Sequence, residues 1–294
     1  MIDRSPIDSI SIAIPAHNAG ETIEAQLEAI RMQDAPWLDE VVVADSLSTD
    51  DTVDRVEKYA SQTWPKVRLV TATRPGANTA RNTAVSATRS SAVLLCDADD
   101  IVSESWAATM FSALQQHDVV RGRYTLEMLN DADTIAARGS LASTSAPEVG
   151  DAFGGLGGNC GFRKTVWEAL GGLLEHHYGS DDAEFFWRAR IHGFDVAYED
   201  SSVVNYRLRP GMRPLFRQQM AWASGRALLF KEFGDAGLIT RRSFTATVKS
   251  WMWLLVHVPS AWSNDPVKLG RWIRTAAEAT GRVRGSFRHR VWYL

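Results

Sequence analysis

The stretch "AVLLCDADDI", Ala92–Ile101, sets five apolar residues directly against three carboxylates, Asp97, Asp99 and Asp100. The apolar run reads as a short buried strand, and the acids stand where that strand must turn. A carboxylate cluster at a strand end is either a solvated cap or a place where a cation sits. Which of these holds depends on what lies on either side.

Upstream, "SISIAIPA", "DEVVVADS" and "KVRLVTA" read as three further buried strands. Between them, "AGETIEAQLEAIRMQ" has helical spacing at Ile23, Leu27 and Ile30, and "STDDTVDRVEKYAS" is a helix opened by Ser, Thr and Asp. Strand and helix alternating at this interval imply an α/β fold, a mostly parallel sheet with flanking helices. In such sheets ligands sit at the carboxyl ends of the strands. Here those ends carry "PAHN" (15–18), "ADSLSTDD" (44–51), "TRPGANTARN" (73–82) and "DADD" (97–100), four polar loops on one edge.

The chemistry of these loops is specific. Asp97 and Asp99 are two apart and can converge on one ion at a turning strand end, where hard oxygen ligands suit Mg2+ or Mn2+. Asp100 with "SES" behind it reads as a cap for the next helix. Asp45 can accept hydrogen bonds from a base or ribose, or can fold into an Asx turn, a role that suits Asp50 and Asp51 better. Arg74 and Arg81 bracket a Pro-Gly turn and can clamp phosphate, although a lone arginine is more often a surface residue.

Beyond a helix near "SWAATMFSALQQH" and a strand near "DVVRGRYTLEM", the segment from Asn130 to Gly161 is rich in Gly, Ser and Ala and has no strong period. It reads as a functional, mobile region. Within it "GGLGGNCG" lacks the strand-then-helix setting of a dinucleotide fingerprint and suits close backbone approach to a substrate instead. "TVWEALGG" reads as a short helix, "DDAEFFWRARIHG" as an amphipathic helix, and "FDVAYE" and "SSVVNYRL" as short strands. From Pro214 onward the pattern is mostly helical. Asp181, Asp182 and Glu184 surround a helix start, where the dipole favours acids, yet one of them beside a sugar hydroxyl can act as a general base.

Composition bounds the rest. The chain has 294 residues, 45% of them hydrophobic, enough for one large domain or two fused ones. A formal net charge of -3 offers no general attraction to polyanions, which excludes nucleic acid as the main partner. Cys96 and Cys160 lack ligand spacing and read as reduced thiols of a cytoplasmic chain. No export signal opens the sequence. The longest apolar stretch, "WMWLLVHVPSAW" from Trp251, is interrupted by His257 and Pro259 and is too short to span a bilayer.

Taken in order, "SIAIPAHNAGETI", "VVVADSLSTDDT", "GANTARNTA", "LLCDADD" and "GGNCGFRKTVWEALGG" followed by "GSDDAEFFWRARIHG" resemble the motifs of a family 2 glycosyltransferase of the GT-A fold. The resemblance covers roughly the first four-fifths of the chain. It implies a Rossmann-like GT-A domain with a nucleotide-sugar-binding half (1–105), an acceptor-binding and catalytic half (106–235), and a helical, basic and aromatic C-terminal extension (236–294). By the same resemblance Pro15, Asn18, Asp45, Arg74, Arg81, Asp97 and Asp99 hold the nucleotide-sugar, with Asp97 and Asp99 on a divalent cation, Mn2+ or Mg2+. Asp182 falls at the catalytic base, and Asp181, Gly158, Asn159 and Glu184 on the acceptor side.

The implied reaction is metal-dependent and inverting, and moves one sugar from a nucleoside-diphosphate sugar, UDP-linked by preference, to the hydroxyl of a glycan, a lipid-linked acceptor or a small molecule. Three departures stand out: Asp181 replaces the usual Glu before the base, "VVNYRLR" lacks the histidine that many relatives carry near this point and with it a third protein ligand to the metal, and "RQQMAW" (217–222) matches only loosely the Gln-x-x-Arg-Trp motif of processive synthases. A non-processive enzyme is therefore expected. The alternatives are a GT-A-like nucleotidylyltransferase, which would need an N-terminal Gly-rich loop with a basic signature, and a catalytically silent nucleotide-sugar-binding scaffold. The tryptophans and arginines after residue 250 suit either contact with an anionic membrane surface, as a peripheral protein on the inner face of the cell membrane, or a packed hairpin or homodimer contact.

Overall fold

The computed structural model describes residues 5–33, 35–139, 157–176, 179, 181–241 and 243–294, the side chains of residues 181 and 182 excepted. Its centre is an eight-stranded sheet of order β3-β2-β1-β4-β7-β6-β8-β5. Strands β1 (Ile10–Ala16), β2 (Leu38–Asp45), β3 (Val67–Thr71) and β4 (Ala92–Cys96) are mutually parallel, as the alternation with helices requires. Beyond β4 the sheet turns mixed. Strand β7 (Asn159–Arg163) runs antiparallel to both β4 and β6 (Val119–Thr125), β8 (Val196–Asn205) runs parallel to β6, and β5 (Ile101–Val102) caps the edge antiparallel to β8.

Side-chain alternation along these strands divides the core in two. Ile12, Ile14, Val41, Val43 and Leu94 face α1 (Ile23–Arg31), α2 (Thr52–Gln62) and α4 (Trp106–Leu114). Ala13, Val42, Val93, Leu95 and Phe162 face α3 (Ala77–Ala87) and α6 (Lys164–Leu170). Phe162 stacks on Trp167 with ring centroids 4.8 Å apart. Cys96 and Cys160 are buried free thiols, in keeping with the reduced state read from the sequence.

The described residues divide into two compact units. The first lies within Met1–Thr125, Ser143–Glu175 and Phe185–Tyr206 and contains the whole sheet. The second lies within Leu126–Ala142, His176–Glu184 and Arg207–Leu294. It holds α5 (Ala132–Arg138), α8 (Met212–Phe233), α9 (Phe244–Val256), a 3-10 turn (Val258–Trp262) and α10 (Pro266–His289). Inside this unit α8 and α10 approach backbone to backbone. A Cβ on Gly281 would stand 2.4 Å from the Met220 carbonyl oxygen, and one on Gly285 2.7 Å from that of Ser224.

Three expectations need correction. The Gly-rich segment is not structureless where it is described: Asp131 caps α5 by accepting from the Thr134 amide at 2.8 Å, and β7 begins at Asn159. Residues 140–156, where mobility was expected, lie outside the described residues. Helix α7 (Asp181–Ile191) is not amphipathic, because Ala183 through Trp187 are all buried and Ala189 with them. The strands expected at "FDVAYE" and "SSVVNYRL" are one strand, β8, whose register with β6 jumps from Gly122↔Glu199 to Arg123↔Val203. The exposed Asp200 and Ser201 take up the slack of that irregularity.

Candidate active site

The loops at the carboxyl ends of β1, β2 and β3 are stitched to one another by side chains that satisfy backbone donors. The Asn18 amide donates to Ser48 Oγ (2.9 Å), the Thr49 amide to Asn18 Oδ1 (2.8 Å), and the Gly20 amide to Asp50 Oδ2 (3.0 Å). From the third loop the Gly76 amide donates to Ser46 Oγ (3.0 Å). Asn18 and Leu47 both have positive φ, 49° and 56°, conformations that Asn tolerates and that cost Leu energy. Hydrogen bonding from the Thr52 hydroxyl, and then from the Gly20 and Thr52 amides, holds the Asp50 carboxyl below its usual range. Pro15 lies past the last β1–β4 register pair, Ala13↔Leu95, so the missing N–H leaves no gap in that ladder.

Asp45 ends β2, is 3% exposed and accepts from the Ser48 amide at 3.1 Å. That bond spans three residues, whereas the Asx turn forms at Asp50, as the sequence suggested, with Oδ1 accepting from the Thr52 amide (3.1 Å). Asp97 and Asp99 are half-buried where β4 turns. The buried Arg81 of α3 donates through Nη2 to Asp97 Oδ1 (3.0 Å) and Oδ2 (3.4 Å). Arg81 thus holds the carboxylate in place rather than standing ready as a phosphate clamp. Gly158 is pressed against the same group: a Cβ there would lie 2.4 Å from Asp97 Oδ2. Asp100 is buried, 1% exposed, and does not cap α4, whose N-cap is Ser105. Burial, with the charges of Asp97 and Asp100 added to it, pushes the Cys96 thiol and the Tyr124 hydroxyl up.

The other expected residues are spread more widely. Arg74 is exposed and pairs with Glu175. Asn159 is fully buried. Its Oδ1 accepts from Trp106 Nε1 (2.8 Å) and its Nδ2 donates to the carbonyls of Arg123 (2.8 Å) and Ser202 (3.2 Å), so its amide serves the core. Glu184 is likewise buried. Asp181 and Asp182 open α7, and their side chains lie outside the described residues.

Two residues beyond the sequence reading shape the site. Gln26, buried on α1, donates to the Asp97 carbonyl (3.0 Å) and accepts from the Val102 amide (3.0 Å), pinning both ends of the "DADD" turn. The signal was present, since Gln26 occupies the buried stripe of Ile23, Leu27 and Ile30. Asn82 accepts from the Leu173 amide and donates to its carbonyl, both at 2.9 Å. Among the described residues no group of three or more His, Cys, Asp or Glu is arranged to hold a metal. Two carboxylates at one turn nevertheless fit an ion of the Mg2+ or Mn2+ kind, which keeps waters and takes its remaining oxygens from substrate phosphate.

Residues 11–168 match the model described as glycosyl transferase family 2, and residues 92–276 that of glycosyl transferase family group 2. The poly(ribitol-phosphate) beta-N-acetylglucosaminyltransferase TarS of Staphylococcus aureus is 31% identical over 143 residues, 47% of this chain and 24% of that one. The structure of its residues 1–349 with UDP-GlcNAc has a TM-score of 0.53 at 15% identity, covering 97% of this chain and 93% of that one. The succinoglycan biosynthesis protein ExoA of Rhizobium meliloti is 25% identical over 280 residues, 89% of this chain and 84% of its own. Among solved structures, the mannosyltransferase PcManGT of Pyrobaculum calidifontis, in complex with GDP-Man and Mn2+, has a TM-score of 0.64 at 19% identity, covering 96% and 88%. The chain spans only 24–32% of the length of the first curated relatives it matches. At these identities the structural likeness shows the fold.

Proposed function

Because this chain belongs to glycosyl transferase family 2, we propose that it is a glycosyltransferase and moves a single sugar, with inversion, from a nucleoside-diphosphate sugar to an acceptor hydroxyl. The observation that carries this reading is the turn after β4, where Asp97, held by Arg81, and Asp99 stand at the same sheet edge as the stitched loops of β1, β2 and β3. Asp45 receives the base and Asp97 and Asp99 the diphosphate end of the donor. UDP is the favoured carrier, in line with the UDP-GlcNAc complex of TarS. A divalent cation held by Asp97 and Asp99 would supply charge neutralisation for the departing diphosphate. Asp182 takes the proton of the acceptor hydroxyl, so that the oxygen attacks the anomeric carbon as the bond to the diphosphate breaks. Ala221, where processive synthases carry Arg, favours single addition.

The reading extends to an anionic membrane surface met through α9. Phe244, Val248, Trp251, Met252 and Leu255 are all exposed along one face of that helix, and ten basic residues against two acidic ones follow residue 235.

A donor panel in the presence of manganese tests the first reading, since a ligand that binds only the native state raises the unfolding temperature by mass action. UDP-sugars are expected to shift it most. Asp182→Asn is expected to keep that shift and to lose transfer by about 100-fold or more. Undiminished transfer would remove Asp182 from the reaction.

A further inference from the structure

The second unit contains a cavity of about 210 Å3 between α8 and α10 that the sugar transfer leaves without a task. Arg217 and Ser224 line it from α8, Arg284, Arg288 and His289 from α10, and His176 from the chain before α7. Arg284 and Arg288 are one turn apart on a helix face, and the close approach at Gly281 and Gly285 fixes that face against α8.

On the same two helices, two other arginines are neutralised. Arg226 and Arg282 both reach Glu278, at 3.4 and 2.6 Å. Among the described residues, Arg217, Arg284 and Arg288 pair with no carboxylate, and Glu232 stands 3.9 Å from His176. The three guanidinium groups are exposed and solvated, yet together they raise the positive potential of one concave surface, which favours an anion among them. Their planar donor forks match phosphate oxygens. The volume decides the size of the guest: it exceeds a single water's share, about 30 Å3, several-fold, yet falls below the roughly 300 Å3 at which sites for whole drug-sized ligands begin. A phosphate or diphosphate group fits, whereas a complete nucleotide-sugar does not.

We propose that this cavity binds the phosphate or diphosphate group of a ligand distinct from the sugar donor, carried by either a soluble phosphate ester or a lipid headgroup. The test is calorimetric titration of the whole chain with inorganic pyrophosphate in the presence of EDTA, so that no metal recruits the probe to Asp97 and Asp99. Wild type is expected to bind. Arg284→Ala/Arg288→Ala is expected to bind about tenfold or more weakly, since each lost charged hydrogen bond weakens binding on that scale. Because both side chains are exposed, its thermal midpoint stays near wild type, and Arg284→Lys/Arg288→Lys recovers part of the affinity. Asp99→Asn is expected to titrate like wild type, which separates this site from the proposed donor site. No binding by wild type, equal binding by the double alanine variant, or loss of binding in Asp99→Asn would each overturn the proposal. Displacement of pyrophosphate by phosphatidylglycerol vesicles assigns the lipid source, and displacement by glycerol 3-phosphate alone assigns the soluble one. If neither displaces it, the cavity is a non-specific cationic patch and the proposal fails.

Discussion

Arg81 and Asp97 form the pair on which the site turns, and their energetics are lopsided. Arg81 has an 11% exposed side chain and Asp97 a 23% exposed one, so removing the cation leaves a carboxylate that water only partly solvates. Arg81→Ala is expected to cost about 3 kcal/mol of stability, at the low end for a broken buried pair. It should also weaken manganese-dependent UDP binding, because Asp97 loses its orientation. Chemical denaturation and a UDP titration read the two effects separately, and a variant with wild-type stability and UDP affinity would mean that Asp97 is held by other contacts. The carboxylates of this site were legible in the sequence because Asp97 and Asp99 interrupt an apolar strand, a change that needs no partner to be seen. The partners that fix them were not. Burial of Gln26 and Asn159 is decided by the Asp97 carbonyl and by Trp106, 71 and 53 residues away. The reading of Arg81 as a phosphate clamp missed its pairing for the same reason.

At the scale of elements, periodicity identified what local pattern controls. The four parallel strands and the helices between them follow from apolar runs at strand and helix period, whereas β7 lies in a Gly-rich stretch that gains strand geometry only by pairing with β4 and β6. Helix α7 reads as amphipathic because of its charged residues, yet Glu184 is buried with its apolar neighbours. Helix α9 is the opposite case, an apolar face left in solvent, with Phe244 75% and Leu255 73% exposed. Flotation with vesicles containing anionic lipid is expected to carry the wild type, and Phe244→Glu/Leu255→Glu to reduce the bound fraction about tenfold or more, given about 1.5–3 kcal/mol for each large apolar side chain buried. If wild type fails to float, or the variant floats equally, the membrane contact is wrong. A wild-type dimer in sedimentation that the same variant dissolves would assign the face to a second copy.

For the molecule as a whole, the two units make separable demands on ligands. Everything assigned to the donor, from Asn18 and Asp45 to Asp97 and Asp99, lies in the unit that holds the sheet, and the arginine-lined cavity lies entirely in the other. A ligand that binds one native unit lowers the opening of that unit's own backbone by mass action, by about 2.7 kcal/mol at a hundredfold excess over its Kd. Hydrogen exchange measured amide by amide is therefore expected to slow in the loops after β1, β2 and β4 with UDP and manganese. With pyrophosphate in EDTA it should slow in α8 and α10. The physical ground is that exchange in a native protein proceeds through local openings, so protection maps to the element whose closed form the ligand requires. Protection of α8 and α10 by UDP and manganese alone would show instead that donor binding and the cationic cavity are energetically coupled. Pyrophosphate would then be expected to tighten or weaken UDP by the same factor that UDP changes pyrophosphate affinity, because linkage between two sites is reciprocal.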